Sequence, residues 1–234
     1  FLPAVKNLNL SVKSGEIVGI AGVSGNGQRE MAQAIAGLRP ITSGKIVIAD
    51  KDLTRAPPSE RFTAGLGYVP EDRLGVGLAP RLTVTENAIL RNYRNLRKRM
   101  LLVAEQASEY CKNIIEQFGV RTGSIDDPIA GLSGGNLQRL LVGRELSGDP
   151  KVVVAAQPTR GLDVQGVKAI QDLLIAERAE GVAVLLISED LDELLTLSDR
   201  LLVMHEGEIV SEFDPATAQR HEIGAAMAGK KSIA

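Results

Sequence analysis

Two stretches of this chain carry residues whose type and spacing could grip an anion. In "GVSGNGQRE", 22–30, Gly22 and Gly27 have the G-x-x-x-x-G spacing, which lets a loop turn tightly and aim backbone N–H groups at a phosphate. Such loops normally continue with a Lys for the outer phosphates and a Ser or Thr hydroxyl for Mg²⁺, whereas Gln28 and Arg29 follow here. Gln28 is uncharged and Arg29 cannot bind a cation. In "LSGGN", 132–136, Ser133 precedes Gly134 and Gly135 at the start of a pattern that reads as an amphipathic helix. A helix mouth of that kind exposes N–H groups and the positive end of the helix dipole, which suits an anion. Alone, Ser-Gly-Gly is a common loop. Its place after "GVSGNG" and before an apolar run ending "AQPTRGLD" is far more specific.

The elements that must position these loops read as alternating strands and helices. "VKNLNLSV" (5–12) and "EIVGIAG" (16–22) predict two strands, and Met31, Ile35 and Leu38 recur at helical spacing after Gln28. The first loop thus lies between a strand and a helix. "GKIVIAD" (44–50) predicts a strand, and "GLGYVPEDRLGVG" (65–77) a short strand running into a loop. Between about 73 and 147 helical periods dominate, through Ala107, Cys111, Ile114 and Phe118, then Leu137, Leu140 and Leu141. "KVVVAA" (151–156) and "VAVLLIS" (182–188) are continuously apolar, as strands buried on both faces of a parallel sheet are. Val167, Ile170 and Leu174 mark the crossover helix between them, and "RLLVMHEGEIVSEF" (200–213) predicts a hairpin turning at Glu206 and Gly207. The expectation is one α/β domain over 1–234 with a helical insertion.

Composition narrows the function classes. The 234 residues are 44% apolar with a net charge of −2, enough for a sizeable core and too balanced to point to nucleic acid. "RNYRNLRKRM" (91–100) is locally basic, which reads as a solvated face or, second, as a contact with a membrane-associated partner. "VAVLLI" falls far short of the roughly 20 apolar residues of a membrane-spanning helix. The opening "FLPAVKNLNL" lacks a signal-peptide pattern, and Cys111 is the single cysteine, so a reducing cytosol is expected. A beginning inside a predicted strand, without Met, leads us to expect the C-terminal half of a longer protein.

On these motifs the chain resembles, over nearly its full length, the nucleotide-binding domain of the ATP-binding-cassette (ABC) transporter superfamily. "GVSGNGQR" looks like its Walker A loop and "GYVPED" its Q-loop; "LSGGN" looks like its signature, "VVVAAQPTRGLD" its Walker B and D-loop, and "LLISEDLDELLTLSDRLLVM" its switch region. "GYVPEDR", "AAQPTRGLDV" and "EIGAAMAG" are similar to the second of two tandem cassettes in bacterial importers of simple sugars and nucleosides. The resemblance implies a P-loop NTPase core with an antiparallel β subdomain and an inserted helical subdomain. It also implies ATP as ligand, contacted by Gly22, Val23, Ser24, Gly25, Asn26, Gly27, Gln28 and Arg29.

The departures from the family pattern matter as much. Where Walker B ends in a metal-holding Asp and a water-positioning Glu, this chain has Ala156 and Gln157. Glu189 replaces the switch histidine and Glu71 the Q-loop glutamine, while His205 and His221 read as ordinary turn or surface residues. Losing the lysine, both metal ligands and the acid weakens charge neutralisation and water positioning together at this chain's own site, so hydrolysis there and Mg²⁺ binding are expected to be weak or absent. The backbone N–H groups of Ser24–Gly27 remain available to an anion, so nucleotide could still be held there, with Arg29 either pointing to solvent or offsetting phosphate charge. No metal site is expected.

Family cassettes pair head to tail, which implies that Ser133, Gly134 and Gly135 meet the γ-phosphate held by a partner cassette in trans, with Leu132 and Asn136 shaping the loop. Asp163 is expected to cross to that partner, and Glu71 to begin a hinge running to Gly77 toward membrane permease subunits. The implied setting is the cytoplasmic face of a bacterial membrane, with a periplasmic or lipoprotein solute-binding protein as an indirect partner. A rival reading is a non-catalytic regulatory module that adjusts cassette pairing. A cassette of translation or DNA repair would carry a coiled-coil insertion, linker arm or zinc site, and none is visible.

Overall fold

The computed structural model describes residues 3–98 and 101–229, so Arg99 and Met100 of the basic run lie outside the described residues. The chain divides into two compact units. The first takes the chain up to Tyr68, Lys151–Gln157 and everything from Leu173 onward; the second takes Val69–Pro150 and Pro158–Asp172.

The first unit is built on β1 (Ile17–Ala21), whose five residues are all buried. An apolar strand of this kind is stable only between other strands with both faces covered, and it lies inside a six-stranded sheet. With β4 (Leu66–Val69), β7 (Val152–Ala156), β8 (Ala183–Ile187), β9 (Arg200–His205) and β10 (Glu208–Phe213), the order is β10-β9-β1-β8-β7-β4. β1 runs parallel to β8, with Ile17 opposite Val184, and to β9, with Val18 opposite Arg200; β7 and β8 are parallel too. β10 returns antiparallel to β9, through the expected turn, where Glu206 (φ 45°) and Gly207 (φ 85°) take the left-handed conformations of a two-residue hairpin. Val18, Ile20, Leu66, Val154, Leu185 and Ile187 form the core of this unit with Met31 and Met204. Each such side chain contributes roughly 1.5–3 kcal/mol by leaving water.

Helix α1 (Gln28–Ile35) follows the first loop, with Met31 and Ala32 buried against the sheet core. It stops at Gly37 (φ 79°), whose N–H reaches Ala34 O at 3.1 Å while that of Leu38 reaches Gln33 O at 2.9 Å, a paired C-terminal cap. Leu38, expected on the helix, therefore lies past its end and is exposed. Arg61, buried in α2 (Pro58–Thr63), donates to Ala34 O and Ile35 O at 2.6 and 2.8 Å and so adds a second bond to the carbonyl that Gly37 caps and one to its neighbour.

Two strand expectations fall short. Residues 5–12 form no strand. Val5, Leu8, Leu10 and Val12 do pack against the core as their alternation implies, but alternation selects an inward face without supplying a neighbour to pair with. Of 44–50 only β2 (Val47–Ile48) pairs, with β3 (Lys51–Asp52), across a turn through Ala49 and Asp50, both at positive φ.

The second unit is helical, as expected. A π-helical turn, Arg73–Gly77, leads to α3 (Val84–Ile89); the short pair β5 (Arg97–Lys98) and β6 (Leu101–Leu102) precedes α4 (Ala104–Phe118) and α5 (Gly134–Leu146). The four periodic α4 residues Ala107, Cys111, Ile114 and Phe118 are buried. A Cβ on Gly143 of α5 would meet the Phe118 ring at 2.8 Å, which is how closely the two helices pack. The reading of α5 as amphipathic is corrected over its C-terminal half: every residue from Leu140 to Leu146 is buried, so no polar face exists there. The charges this entails are matched internally, Glu145 pairing with both Arg144 and Arg91. α6 (Val164–Ala179) buries Ile170 and Leu174, while α7 (Leu191–Leu197) and α8 (Arg220–Met227) belong to the first unit. His205 Nδ1 donates to Met227 O, 3.2 Å away, and His221 is exposed.

Candidate functional site

In the first unit the loop Gly22–Gly27 bends between β1 and α1 as expected. Val23, Ser24 and Gly25 are exposed, and Gly25 (φ 91°) has open space where a Cβ would stand. Asn26 is committed elsewhere. Its N–H points to Val23 O (3.3 Å), its side-chain oxygen accepts from the Glu206 N–H (2.8 Å), and its carbonyl accepts from the Gly207 N–H (2.9 Å). The expectation that all N–H groups from Ser24 to Gly27 face an anion is therefore corrected at Asn26, which ties the loop to the β9–β10 turn. Gly27 (φ 104°) admits no side chain, since a Cβ would lie 2.3 Å from Ala4 O.

Gln28, the first residue of α1, turns inward. It is buried, its amide Nε2 donates to Val23 O at 3.3 Å, and that nitrogen lies 2.2 Å from where a Cβ on Gly22 would be. Gly22 thus leaves the room into which the Gln28 amide folds beneath the loop. Arg29, next along, is exposed in the first turn of α1.

β7 ends in buried Ala156, and Gln157 follows in a left-handed conformation (φ 51°) that L residues reach at a cost. Two bonds hold it there: its N–H donates to Ile187 O (2.8 Å) and its Oε1 accepts from the Glu189 N–H (3.3 Å). The structure therefore brings together two sequence-selected positions, Gln157 and Glu189, through an amide-to-backbone bond rather than an ionic contact. Among the described residues no cluster of three or more His, Cys, Asp or Glu could hold a metal ion. The amides of Gln28 and Gln157, the Arg29 guanidinium and the Ala156 methyl offer no anionic oxygen, so the residues at these positions do not fit a Mg²⁺ ion.

The second unit presents the other loop. Ser133, at the N-cap of α5, is exposed with Gly134; Leu132, Gly135 and Asn136 are half-buried. The Ser133 hydroxyl accepts from the Asn136 N–H (3.4 Å) and from Asn136 Nδ2 (3.0 Å), while Asn136 Oδ1 accepts from the Arg121 N–H (2.8 Å). A serine oxygen has two acceptor sites and one proton. With both acceptor sites taken, the proton is left to donate outward. A Cβ on Gly135 would meet nothing within 4 Å, so the mouth is open. A hydroxyl donor, a helix N-terminus and free space fit a phosphate group.

Around this mouth the structure gathers residues that sequence reasoning weighed singly or missed. Glu71 is ion-paired with Arg160, so it is not a bare anion. Arg73, which follows Glu71 in "PEDR", donates to Gly134 O at 2.8 Å and to Arg160 O. Burial, and then the neighbouring charge of Arg160, lower the pKa of Arg73. Asp163 is exposed but also engaged, its Oδ1 accepting from the Gly166 N–H (2.7 Å) as the N-cap of α6. The only sequence signal for Arg73 was its place between two acidic residues and a Gly-rich run.

The family model described as "ABC transporter" matches residues 5–160. The glucose import ATP-binding protein TsgD13 of Haloferax volcanii is 45% identical over 232 residues, covering 97% of this chain and 42% of that protein. The nucleoside import ATP-binding protein NupA of Lactococcus lactis is 41% identical over 227 residues, covering 96% of this chain and 45% of its own length. The chain thus spans less than half the length of these curated relatives. Among solved structures, a dimeric bacterial ABC transporter cassette superposes with a TM-score of 0.79 at 26% identity, covering 91% of this chain and 90% of the other. A cassette dimer in a post-hydrolysis state bound to ADP and Pi gives 0.76 at 25% identity, with the same coverage. With the sheet, the Gly-rich loop between β1 and α1 and the Ser-Gly-Gly mouth of α5 in place, these matches settle the family: the chain belongs to the ABC transporter family as a nucleotide-binding cassette.

Proposed function

We propose that this chain is one cassette of the ATP-binding protein of an importer for a simple sugar or nucleoside, the second, degenerate cassette of a tandem pair. In this reading its own phosphate loop is hydrolytically weak or inactive, and its signature loop completes the ATPase site of a partner cassette. The observation that carries the reading is the contrast between the two loops. Ser133 is exposed with its hydroxyl proton free to donate, whereas Gln28 is folded beneath the first loop and supplies no charge. The relatives named for glucose and nucleoside import support the solute class.

ATP supplies the phosphoryl group, and Mg²⁺ belongs to the partner's site. This chain's part is to orient. Asn136 fixes the Ser133 hydroxyl as a donor, Gly134 and Gly135 let phosphate approach the backbone, and the N-terminus of α5 favours its charge. Asp163 and Glu71 communicate with the partner cassette and with membrane permease subunits, the latter receiving solute from a binding protein outside the cell. The complex sits at the cytoplasmic face of the membrane; among the described residues no helix is long and apolar enough to cross it.

The test is Ser133→Arg in the intact transporter. A bulky cation at the mouth is expected to lower ATPase activity and uptake by on the order of 10²-fold, the scale of losing a preorganised phosphate donor. Unimpaired hydrolysis overturns the trans role and favours the regulatory-module reading.

A further inference from the structure

We infer that Arg73 is a positioning residue, a clamp that holds the Ser133–Asn136 mouth and the Arg160–Leu162 turn in one fixed geometry. Its guanidinium spans two backbone carbonyls, Gly134 O at 2.8 Å and Arg160 O. Both carbonyls border glycines. A Cβ on Gly134 would stand 3.4 Å from Nη1 and one on Gly161 (φ 70°) 3.3 Å from Nη2, so the guanidinium fills the space both glycines leave.

The clamp is anchored at its own end. Asp72 caps the π-helical turn through the Gly75 N–H (2.8 Å), and the Leu78 N–H returns to Arg73 O (2.6 Å), which fixes the backbone that carries Arg73. Arg160 is in turn held from its side chain by Glu71. The result is a closed circuit: Glu71 to the Arg160 side chain, the Arg160 carbonyl to Arg73, and Arg73 to the first residue of α5. Displacement of Glu71 is therefore transmitted to the mouth through the Arg160 and Arg73 side chains in turn. The planar fork of arginine fits two acceptors at once, and the point charge of lysine does not.

The catalytic half of this inference rests on the trans reading, so the experiment has two readouts, both on the intact protein. Hydrogen exchange of Arg73→Ala and Arg73→Lys is expected to quicken on the order of tenfold at 132–136 and 160–163 while 183–187 stays unchanged. In an enzyme whose activity Ser133→Arg abolishes, both variants are expected to lower kcat by on the order of tenfold or more, with KM for ATP little changed. Unchanged exchange in both variants overturns the clamp whatever the fate of the trans reading. Faster exchange with wild-type kcat overturns the positioning role, and so does full rescue by Arg73→Lys. If Arg73→Ala does not fold, Arg73→Lys and Arg73→Gln carry the same test.

Discussion

At the scale of single residues, substitutions at the first loop change what each side chain can reach as well as its charge. A lysine in the place of Gln28 would have to bury an ammonium beneath the loop or turn it outward; the amide can stay, because Val23 O accepts from it at 3.3 Å. Arg29 is the only cation of the 22–29 segment and is exposed. If it offsets phosphate charge, Arg29→Ala is expected to weaken ATP binding to this chain about fivefold, roughly 1 kcal/mol for an exposed charge-assisted contact. Isothermal titration with and without Mg²⁺ reads this directly. The loss should be the same in both conditions, and unchanged affinity eliminates the role.

At the scale of elements, the helices that carry the mouth depend on polar residues that periodicity does not single out. Thr83 and Glu86 cap α3 reciprocally, Thr83 Oγ1 taking the Glu86 N–H (3.1 Å) and Glu86 Oε2 the Thr83 N–H (2.8 Å). Within that helix Asn87 is wholly buried. Its Oδ1 accepts from the Ala79 N–H (2.8 Å), and its Nδ2 reaches Ala79 O, Leu82 O and Thr83 O at 3.0, 3.2 and 2.9 Å. This one amide satisfies the backbone of the turn that leads into α3. Asn87→Ala is expected to cost about 3 kcal/mol, because several buried groups lose their partner together. Urea denaturation should show the midpoint falling with little change in slope; a loss under about 1 kcal/mol would mean that water replaces the amide. The strands, by contrast, were readable at this scale: β7 and β8 are uninterrupted aliphatic runs, and only a doubly covered sheet accommodates those.

At the scale of the molecule, the six-stranded sheet brings distant segments together, and its edge carries a pH-sensitive tie. Arg200 on β9 bonds Glu212 on β10 (2.7 Å) and Glu16 just before β1 (3.0 Å). The bond from Arg200 holds the Glu212 pKa below its ordinary value. The unfolded chain therefore binds more protons in the acid range, so this contribution is complete above about pH 4.5 and is lost as pH falls through the lowered folded value. The pair is largely exposed, and its worth is under about 1 kcal/mol. Thermal denaturation of Glu212→Gln between pH 3 and 7 is expected to show slightly lower stability at neutral pH and a shallower acid slope. A slope identical to wild type removes the pair from the acid response.

What the sequence determined by itself was the order of the motifs, the periods of the buried strands and helices, the turn at Glu206–Gly207 and the uncharged residues Gln28, Ala156 and Gln157 beside the Gly-rich loop and the end of β7. These depend on residue type and near neighbours, so they are present before the chain folds. Tertiary structure alone decided that residues 5–12 pack without pairing, that α5 is buried all round from Leu140 to Leu146 and that Gln28 turns under its loop. It also decided that Gln157 receives the Glu189 N–H across 32 residues, and that Arg73 reaches carbonyls 61 and 87 positions away. No local pattern encodes such contacts, because the path of the chain through the rest of the fold decides which distant backbone groups come within the length of one side chain.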